Sequence, residues 1–144
     1  MPEIQRSIVI NRPISEVFAF FADAENDPQW RTGVVEIKRL GDLGVGVRFR
    51  QRVAGPAGRA IAADVEVTAY QPETHAAFRT ISGPVRPRGS YSFRDLNGTT
   101  EVTFGLAVEL SGIKKALLTN AVQKTMEAEV AGLDRAKVAL GART

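Results

Sequence analysis

The chain contains no cysteine and one histidine among its 144 residues, so few of its side chains can do chemistry. Disulfides, zinc ribbons, iron–sulfur clusters, thiol catalysis and any site needing two histidines from one chain are excluded. A Ser-His-Asp triad, or a haem or copper site, would have to use His75. That residue follows Pro72-Glu73-Thr74 at a predicted turn and reads as an exposed loop histidine. What remains is carboxylate, hydroxyl and arginine chemistry, or binding without chemistry; no metal and no cofactor is expected.

Glu129 is the sharpest carboxylate, standing one helical turn from Thr125. If buried, it would have a raised pKa and could act as an acid or base; at a boundary it would simply reach solvent. The other acids form no convincing pair, so two-carboxylate catalysis is unsupported. Thr80 and Ser82 share the parity of Phe78, and Tyr91 carries a phenol. Arg48, Arg50 and Arg52 alternate along one run and could touch phosphates, but Asp64 and Glu66 on the next run make a salt-bridged, solvated face the simpler reading. The glycine run Gly41-x-x-Gly44-x-Gly46 connects two strand-like runs instead of opening a helix, so it reads as a hairpin loop and not a phosphate cradle.

These residues must be positioned by elements whose periods are legible. Ile4, Arg6, Ile8 and Ile10 alternate with Gln5, Ser7 and Val9, which predicts a strand over Ile4–Ile10. Asn11-Arg12-Pro13 ends it. Val17, Phe18, Phe21 and Ala22 then recur at helical spacing, so a short helix runs from Ile14 to about Asp23. Asn26-Asp27-Pro28 interrupts, with a second short helical turn expected around Trp30, which plugs the insertion against the sheet edge or stands at a cavity mouth. Six strands follow, over Val34–Leu40, Val47–Val53, Arg59–Gln71, His75–Ser82, Arg88–Asp95 and Thr100–Leu110. Gly41–Gly44, Gly55–Gly58, Pro72-Glu73, Gly83-Pro84 and Asn97-Gly98 supply the turns. Asn97-Gly98-Thr99 also fits a glycosylation sequon, but Asn-Gly between strand-like runs marks a tight hairpin turn.

From Ile113 the period changes. Leu117, Leu118, Ala121, Val122, Thr125, Met126, Val130, Leu133, Lys137 and Leu140 share one face, with Ser111-Gly112 as the start signal. A continuous helix from Ile113 to Leu140 would span about 42 Å, and Gly132 inside it suggests a bend or a close packing contact. Strands and helices are segregated, so the class is α+β: a seven-stranded antiparallel sheet and one dominant helix in a single domain over residues 1–144.

The formal charge of +3 comes from 14 arginines and five lysines against 16 acids, a modest excess that argues no nucleic-acid partner by itself. No secretory signal and no apolar run of membrane-spanning length is visible. A soluble cytoplasmic protein with no stable membrane insertion is the expectation. A homodimer is left open, because no diagnostic seam marks one.

Ile8-Val9-Ile10-Asn11-Arg12-Pro13-Ile14-Ser15-Glu16-Val17-Phe18, followed by Asp23 and Pro28-Gln29-Trp30, resembles the start of the START-like, Bet v 1-like superfamily that includes polyketide cyclase/dehydrase and lipid-transport proteins. Gly44-Val45-Gly46-Val47-Arg48-Phe49, Gly89-Ser90-Tyr91-Ser92-Phe93 and Gly98-Thr99-Thr100-Glu101-Val102-Thr103 resemble its later strands, and the long C-terminal helix completes the order. The resemblance implies a helix-grip fold, a curved sheet wrapping the C-terminal helix around an apolar cavity. It implies no single activity, since the superfamily holds both binding proteins and enzymes.

A cavity of that kind would be lined by Phe49, Phe78, Tyr91, Phe93 and Phe104, although the same side chains could equally interdigitate as ordinary core. Thr80, Ser82 and the Tyr91 hydroxyl would orient a ligand from the sheet, with Thr125 and Glu129 approaching from the helix and Trp30 at the mouth. The leading expectation is binding or transport of a hydrophobic or amphipathic, lipid- or polyketide-like molecule. The alternative is a polyketide cyclase or aromatase using the same cavity, with Tyr91, Thr80 or Glu129 transferring protons. A third is an interaction module using the arginine row.

Overall fold

The alternation at the N-terminus forms β1 (Glu3–Ile10), whose Ile4, Arg6, Ile8 and Ile10 turn toward the core while Glu3, Gln5, Ser7 and Val9 stay exposed. The computed structural model describes residues 3–83, 85–110 and 112–141, leaving aside the side chains of Pro56 and of residues 113–118. The turn at Pro84, the start signal at Ser111 and the face positions Leu117 and Leu118 lie outside the described residues. After β1, Pro13 precedes α1 (Ile14–Ala22), and its carbonyl accepts from the backbone N–H groups of Glu16 and Val17. Val17, Phe18, Phe20 and Phe21 bury one face of α1. Asp23 then caps a 3₁₀ turn over Ala24–Gln29 by accepting from the Glu25 N–H at 3.0 Å.

The sheet comprises β2 (Val34–Arg39), β3 (Arg48–Ala54), β4 (Ala60–Ala62), β5 (Val65–Gln71), β6 (His75–Thr80), β7 (Arg88–Asp95) and β8 (Thr100–Ala107) together with β1. Its seven-strand path runs β1-β8-β7-β6-β5-β3-β2, every pair antiparallel, with the short β4 beside β3. The single strand expected over Arg59–Gln71 is thus two. Asp64 interrupts it: its carboxylate accepts the Gln51 N–H at 3.0 Å and its carbonyl accepts the Ile81 N–H at 2.7 Å, which replaces ladder bonds at that point. The hairpin after β7 turns on Asn97 (φ 65°) and Gly98 (φ 103°), the positive dihedrals that an Asn-Gly turn supplies cheaply.

The C-terminal helix departs from the expectation of one rod. It divides into α2 (Gly112–Ala131) and α3 (Leu133–Gly141) at Gly132. A Cβ at Gly132 would stand 3.0 Å from the Trp30 carbonyl and 3.1 Å from the Glu129 carbonyl, so both the bend and the close contact are present. Two arginines of the N-terminal segment hold the ends of these helices. Arg6 donates to the Val130 and Ala131 carbonyls and pairs with Asp134, and Arg12 donates to the Leu140 and Gly141 carbonyls. Last-turn carbonyls have no partner within their helix, and a guanidinium both bonds them and complements the dipole.

A curled antiparallel sheet gripping a C-terminal helical pair, with a helical insertion after the first strand, is an α+β helix-grip fold. Its larger core joins α1, β1, β7 and β8 to Met126, Val130, Leu133, Ala136 and Leu140. A smaller cluster of Val47, Phe49, Val65 and Val67 lies toward β2, and Phe78 and Tyr70 touch both.

Candidate functional site

Where the two clusters meet, the packing leaves a cavity of about 40 Å³, room for about two or three waters. Phe21, Phe49, Val65, Val67, Phe78 and Tyr91 form its apolar wall, and Asp27, Arg31 and Gln51 form a polar end. Strand parity explains the wall from the sheet. Phe49 and Gln51 are buried while Arg48, Arg50 and Arg52 are exposed, and Tyr91 stacks on Phe104 with ring centroids 4.7 Å apart. Phe78 lies against Gly89 on the next strand, where any Cβ would collide with the ring.

The polar end is built by the 3₁₀ turn. The Asp27 carbonyl accepts from the N–H groups of both Trp30 and Arg31, which brings the Arg31 side chain back over the Asp27 carboxylate. Arg31 Nη1 donates to Asp27 Oδ2 at 2.9 Å and to Gln51 Oε1 at 3.0 Å, while Nε and Nη2 donate to the two Glu129 oxygens at 2.8 and 3.3 Å. Gln51 completes its own bonding by donating to the Ala63 carbonyl at 2.8 Å. One guanidinium thus serves the buried Asp27 and the half-buried Glu129, joining the 3₁₀ turn to α2. Burial pushes the Asp27 carboxyl up to about 6, the Arg31 charge opposing and the Glu129 charge reinforcing that rise. Burial alone would lower Arg31, but the two carboxylates hold it above its ordinary value. Tyr91 is raised well above the usual phenol value, first by burial and then by the Asp27 charge, so it stays protonated near neutrality.

Asp27 Oδ1 and Trp30 Nε1 are both buried and find no well-aligned hydrogen-bond partner among the described residues. The Trp30 indole N–H lies close enough to the Asp27 carboxyl to favour its charged form. Trp30 is wedged edge-on between Phe21 and Phe104, and its carbonyl accepts from Arg135 Nε at 2.8 Å.

The residues singled out from the sequence fall into three places. Phe49, Phe78 and Tyr91 line the cavity. Phe93, Phe104 and Trp30 pack behind that wall, and Glu129 holds Arg31 from α2. Thr80, Ser82 and Thr125 lie apart: Thr80 ends β6, Ser82 Oγ accepts the Asp64 N–H at 2.7 Å, and the exposed Thr125 hydroxyl donates to the Ala121 carbonyl. His75 sits on the outer face beside Ser92. Asp27, Arg31 and Gln51 escaped the sequence reading. Their signals were an acid and a base four residues apart around the lone tryptophan, and a glutamine on the inward parity of Phe49.

The family model described as polyketide cyclase / dehydrase and lipid transport matches residues 1–137. The chain belongs to that family. Its fold recurs in a protein of Thermus thermophilus (22% identity over 99% of this chain and 100% of that one, TM-score 0.75). It recurs in a START superfamily protein of Mycobacterium smegmatis (15% identity, 96% and 98% covered, TM-score 0.72) and in the Zhui aromatase/cyclase of a Streptomyces species (15% identity, 96% and 90% covered, TM-score 0.67). No curated protein matches the sequence. Membership in the polyketide cyclase/dehydrase and lipid transport family suits a hydrophobic small-molecule ligand and leaves its identity to the site. Among the described residues no helix is long and apolar enough to cross a membrane, and no cluster of three potential metal ligands occurs.

Proposed function

We propose that the protein binds a hydrophobic or amphipathic small molecule in the cavity between its two apolar clusters. The supporting observation is the cavity's construction: an aromatic and aliphatic wall closed at one end by the buried Asp27–Arg31–Gln51 group, the usual division between a binding surface and an orienting one. At about 40 Å³ the space accommodates no lipid or polyketide without widening. The half-buried Phe78 and the β2–β3 loop offer that movement. Leu43 of this loop packs on the Val47 and Phe49 cluster, and Gly44 and Gly46 take positive φ values that other residues rarely adopt. Native mass spectrometry of protein purified without detergent tests the reading. An adduct of small-molecule mass that departs on unfolding supports it; bare protein that also takes up no hydrophobic probe overturns it.

A second reading, cyclase-type catalysis in the same space, is favoured by Asp27, whose carboxyl titrates near 6 beside the apolar wall. Enclosure would hold a flexible chain in a reactive conformer, and Asp27 would move the proton. Asp27→Asn would then abolish turnover of a polyketide-like substrate while binding persists; unchanged turnover rejects Asp27 in that role.

A further inference from the structure

Tyr91 lines the cavity, and only 4% of its surface is exposed. Its ring cannot swing away: β7 holds the residue between Ala76 of β6 and Phe104 of β8, the ring stacks on Phe104 at 4.7 Å between centroids, and Phe21 lies at 5.2 Å. The hydroxyl at its tip makes no hydrogen bond to any described residue; Asp27, Arg31 and Glu129 act on it through charge alone. That oxygen is also not closed off by protein atoms as Asp27 Oδ1 is, so it faces the free space of the cavity. A buried hydroxyl left without a partner is costly, and here the missing partner can come only from what enters the cavity.

We infer that Tyr91 is the specificity-determining donor of the cavity: its hydroxyl donates to an uncharged carbonyl oxygen, so the preferred ligand is an apolar molecule carrying a ketone, ester or amide group. The inference rests on the cavity-binding reading and narrows it. The phenol stays protonated near neutrality and therefore has a proton to give. A carbonyl oxygen takes that proton and brings none of its own. An alcohol also accepts, but its own proton then needs an acceptor, and those at this end are engaged: Asp27 Oδ2 and Gln51 Oε1 receive Arg31, and Asp27 Oδ1 is enclosed. A carboxylate would bring a third negative charge to a place where one guanidinium already serves Asp27 and Glu129. An ammonium has no lone pair for the phenol proton and would lie beside the Arg31 cation.

The test compares acetophenone, 1-phenylethanol, phenylacetate, phenethylamine and ethylbenzene by isothermal titration calorimetry at neutral pH. All share a phenylethane skeleton, so any widening of the cavity is common to them and only the polar group differs. Acetophenone is expected to bind about 10-fold more tightly than ethylbenzene, phenylacetate or phenethylamine and about 3-fold more tightly than the alcohol, the scale of one hydrogen bond made or missed. Tyr91→Phe, which keeps the stacked ring, should bring acetophenone down to the affinity of ethylbenzene. Because the hydroxyl has no partner in the free protein, the same variant should unfold at the parent's urea concentration or above it. Acetophenone binding no better than ethylbenzene, the alcohol or either ion equalling it, or a preference that survives Tyr91→Phe overturns the Tyr91 assignment while leaving the cavity reading intact. A lower urea midpoint in the variant overturns it too, since the hydroxyl would then have a partner inside the protein. Failure of all five to bind removes the cavity reading and this inference with it.

Discussion

Two groups of arginine–carboxylate pairs lie on opposite faces of the same sheet. On the outer face Glu66 accepts from Arg79 at 2.7 Å and from Arg48 at 3.0 Å, across three neighbouring strands. On the inner side Arg31 serves Asp27 and Glu129 at nearly the same distances. The chemistry and lengths match, but the outcome for the acids is opposite. The hydrogen bonds from Arg79 and Arg48 lower the Glu66 pKa, whereas burial raises Asp27 to about 6 despite its partner. Water, more than pairing, decides the sign: the outer acid keeps solvation and gains donors, while the inner acid gives up solvation that one shared guanidinium does not replace. The outer group reads as surface dressing and the inner group as a stored electrostatic cost at the place where a ligand would arrive.

The largest expected effect tests that contrast directly. Arg31→Met should leave the buried Asp27 carboxylate without its cation, beside the half-buried Glu129, and destabilise the fold by about 3–5 kcal/mol in urea denaturation. If the loss were no larger than that of Arg79→Met on the outer face, the distinction between the two groups would fail.

The second effect is pH-dependent. Because the folded-state pKa of Asp27 is near 6 and the ordinary value is 3.8, the native state binds this proton more tightly than the unfolded chain. Stability contributed by the protonated acid is complete below about pH 4 and disappears as pH rises through about 6. Asp27→Asn cannot titrate, so its stability relative to the parent protein should climb across that window, by about 3 kcal/mol if the whole difference is realised. Parallel stability curves from pH 4 to 7 would show that Asp27 is not desolvated as described.

How much of this was legible in the sequence follows from the range of the interactions. Strand parity is local, so the inward Phe49, Tyr91, Phe93 and Phe104, the outward arginine row and the Arg48–Glu66 pair could be read from period two, whereas Asp64, expected in the same salt-bridged face, accepts the Gln51 N–H instead. The Asn97-Gly98 turn was legible for the same reason. The inner polar group draws Asp27 and Arg31 from a 3₁₀ turn, Gln51 from β3 and Glu129 from α2, and no period links those four positions. Asp27 could be seen only as a chain breaker next to Pro28. Gly132 could be flagged as a weak point in a helix, but the carbonyl of Trp30 that fills its missing Cβ is far away in sequence. Thr125, placed on the apolar stripe by helical spacing, is exposed because the buried line of α2 runs through Val122, Met126 and Val130 and Thr125 stands at its margin, one residue step around the helix from Met126.

The contrast between faces extends to glycines on adjacent strands. Gly89 faces inward, and a Cβ there would lie 2.6 Å from Phe78 Cε1 and 3.1 Å from Leu106 Cδ2; Gly105 faces outward, with its nearest atoms at 3.7 and 3.8 Å. Gly89→Ala should destabilise by about 1–3 kcal/mol through overpacking and, by displacing Phe78, alter uptake of a hydrophobic probe. Gly105→Ala should stay within about 0.5 kcal/mol of the parent. Equal effects at both positions, measured as urea midpoints, would mean that the inner face is loose enough to absorb a methyl group and that Phe78 is not held as the cavity wall.

The smallest expected effect lies at Glu66. Glu66→Gln removes the charge that Arg48 and Arg79 share, but all three side chains remain in contact with water, and the strands beneath keep their backbone ladder. The variant should unfold at nearly the parent's urea concentration, and any difference at low ionic strength should vanish on adding salt, because exposed pairs are screened. A salt-insensitive loss approaching that of Arg31→Met would place Glu66 in a desolvated network. The arginine row would then be part of the protein's architecture instead of its solvated surface.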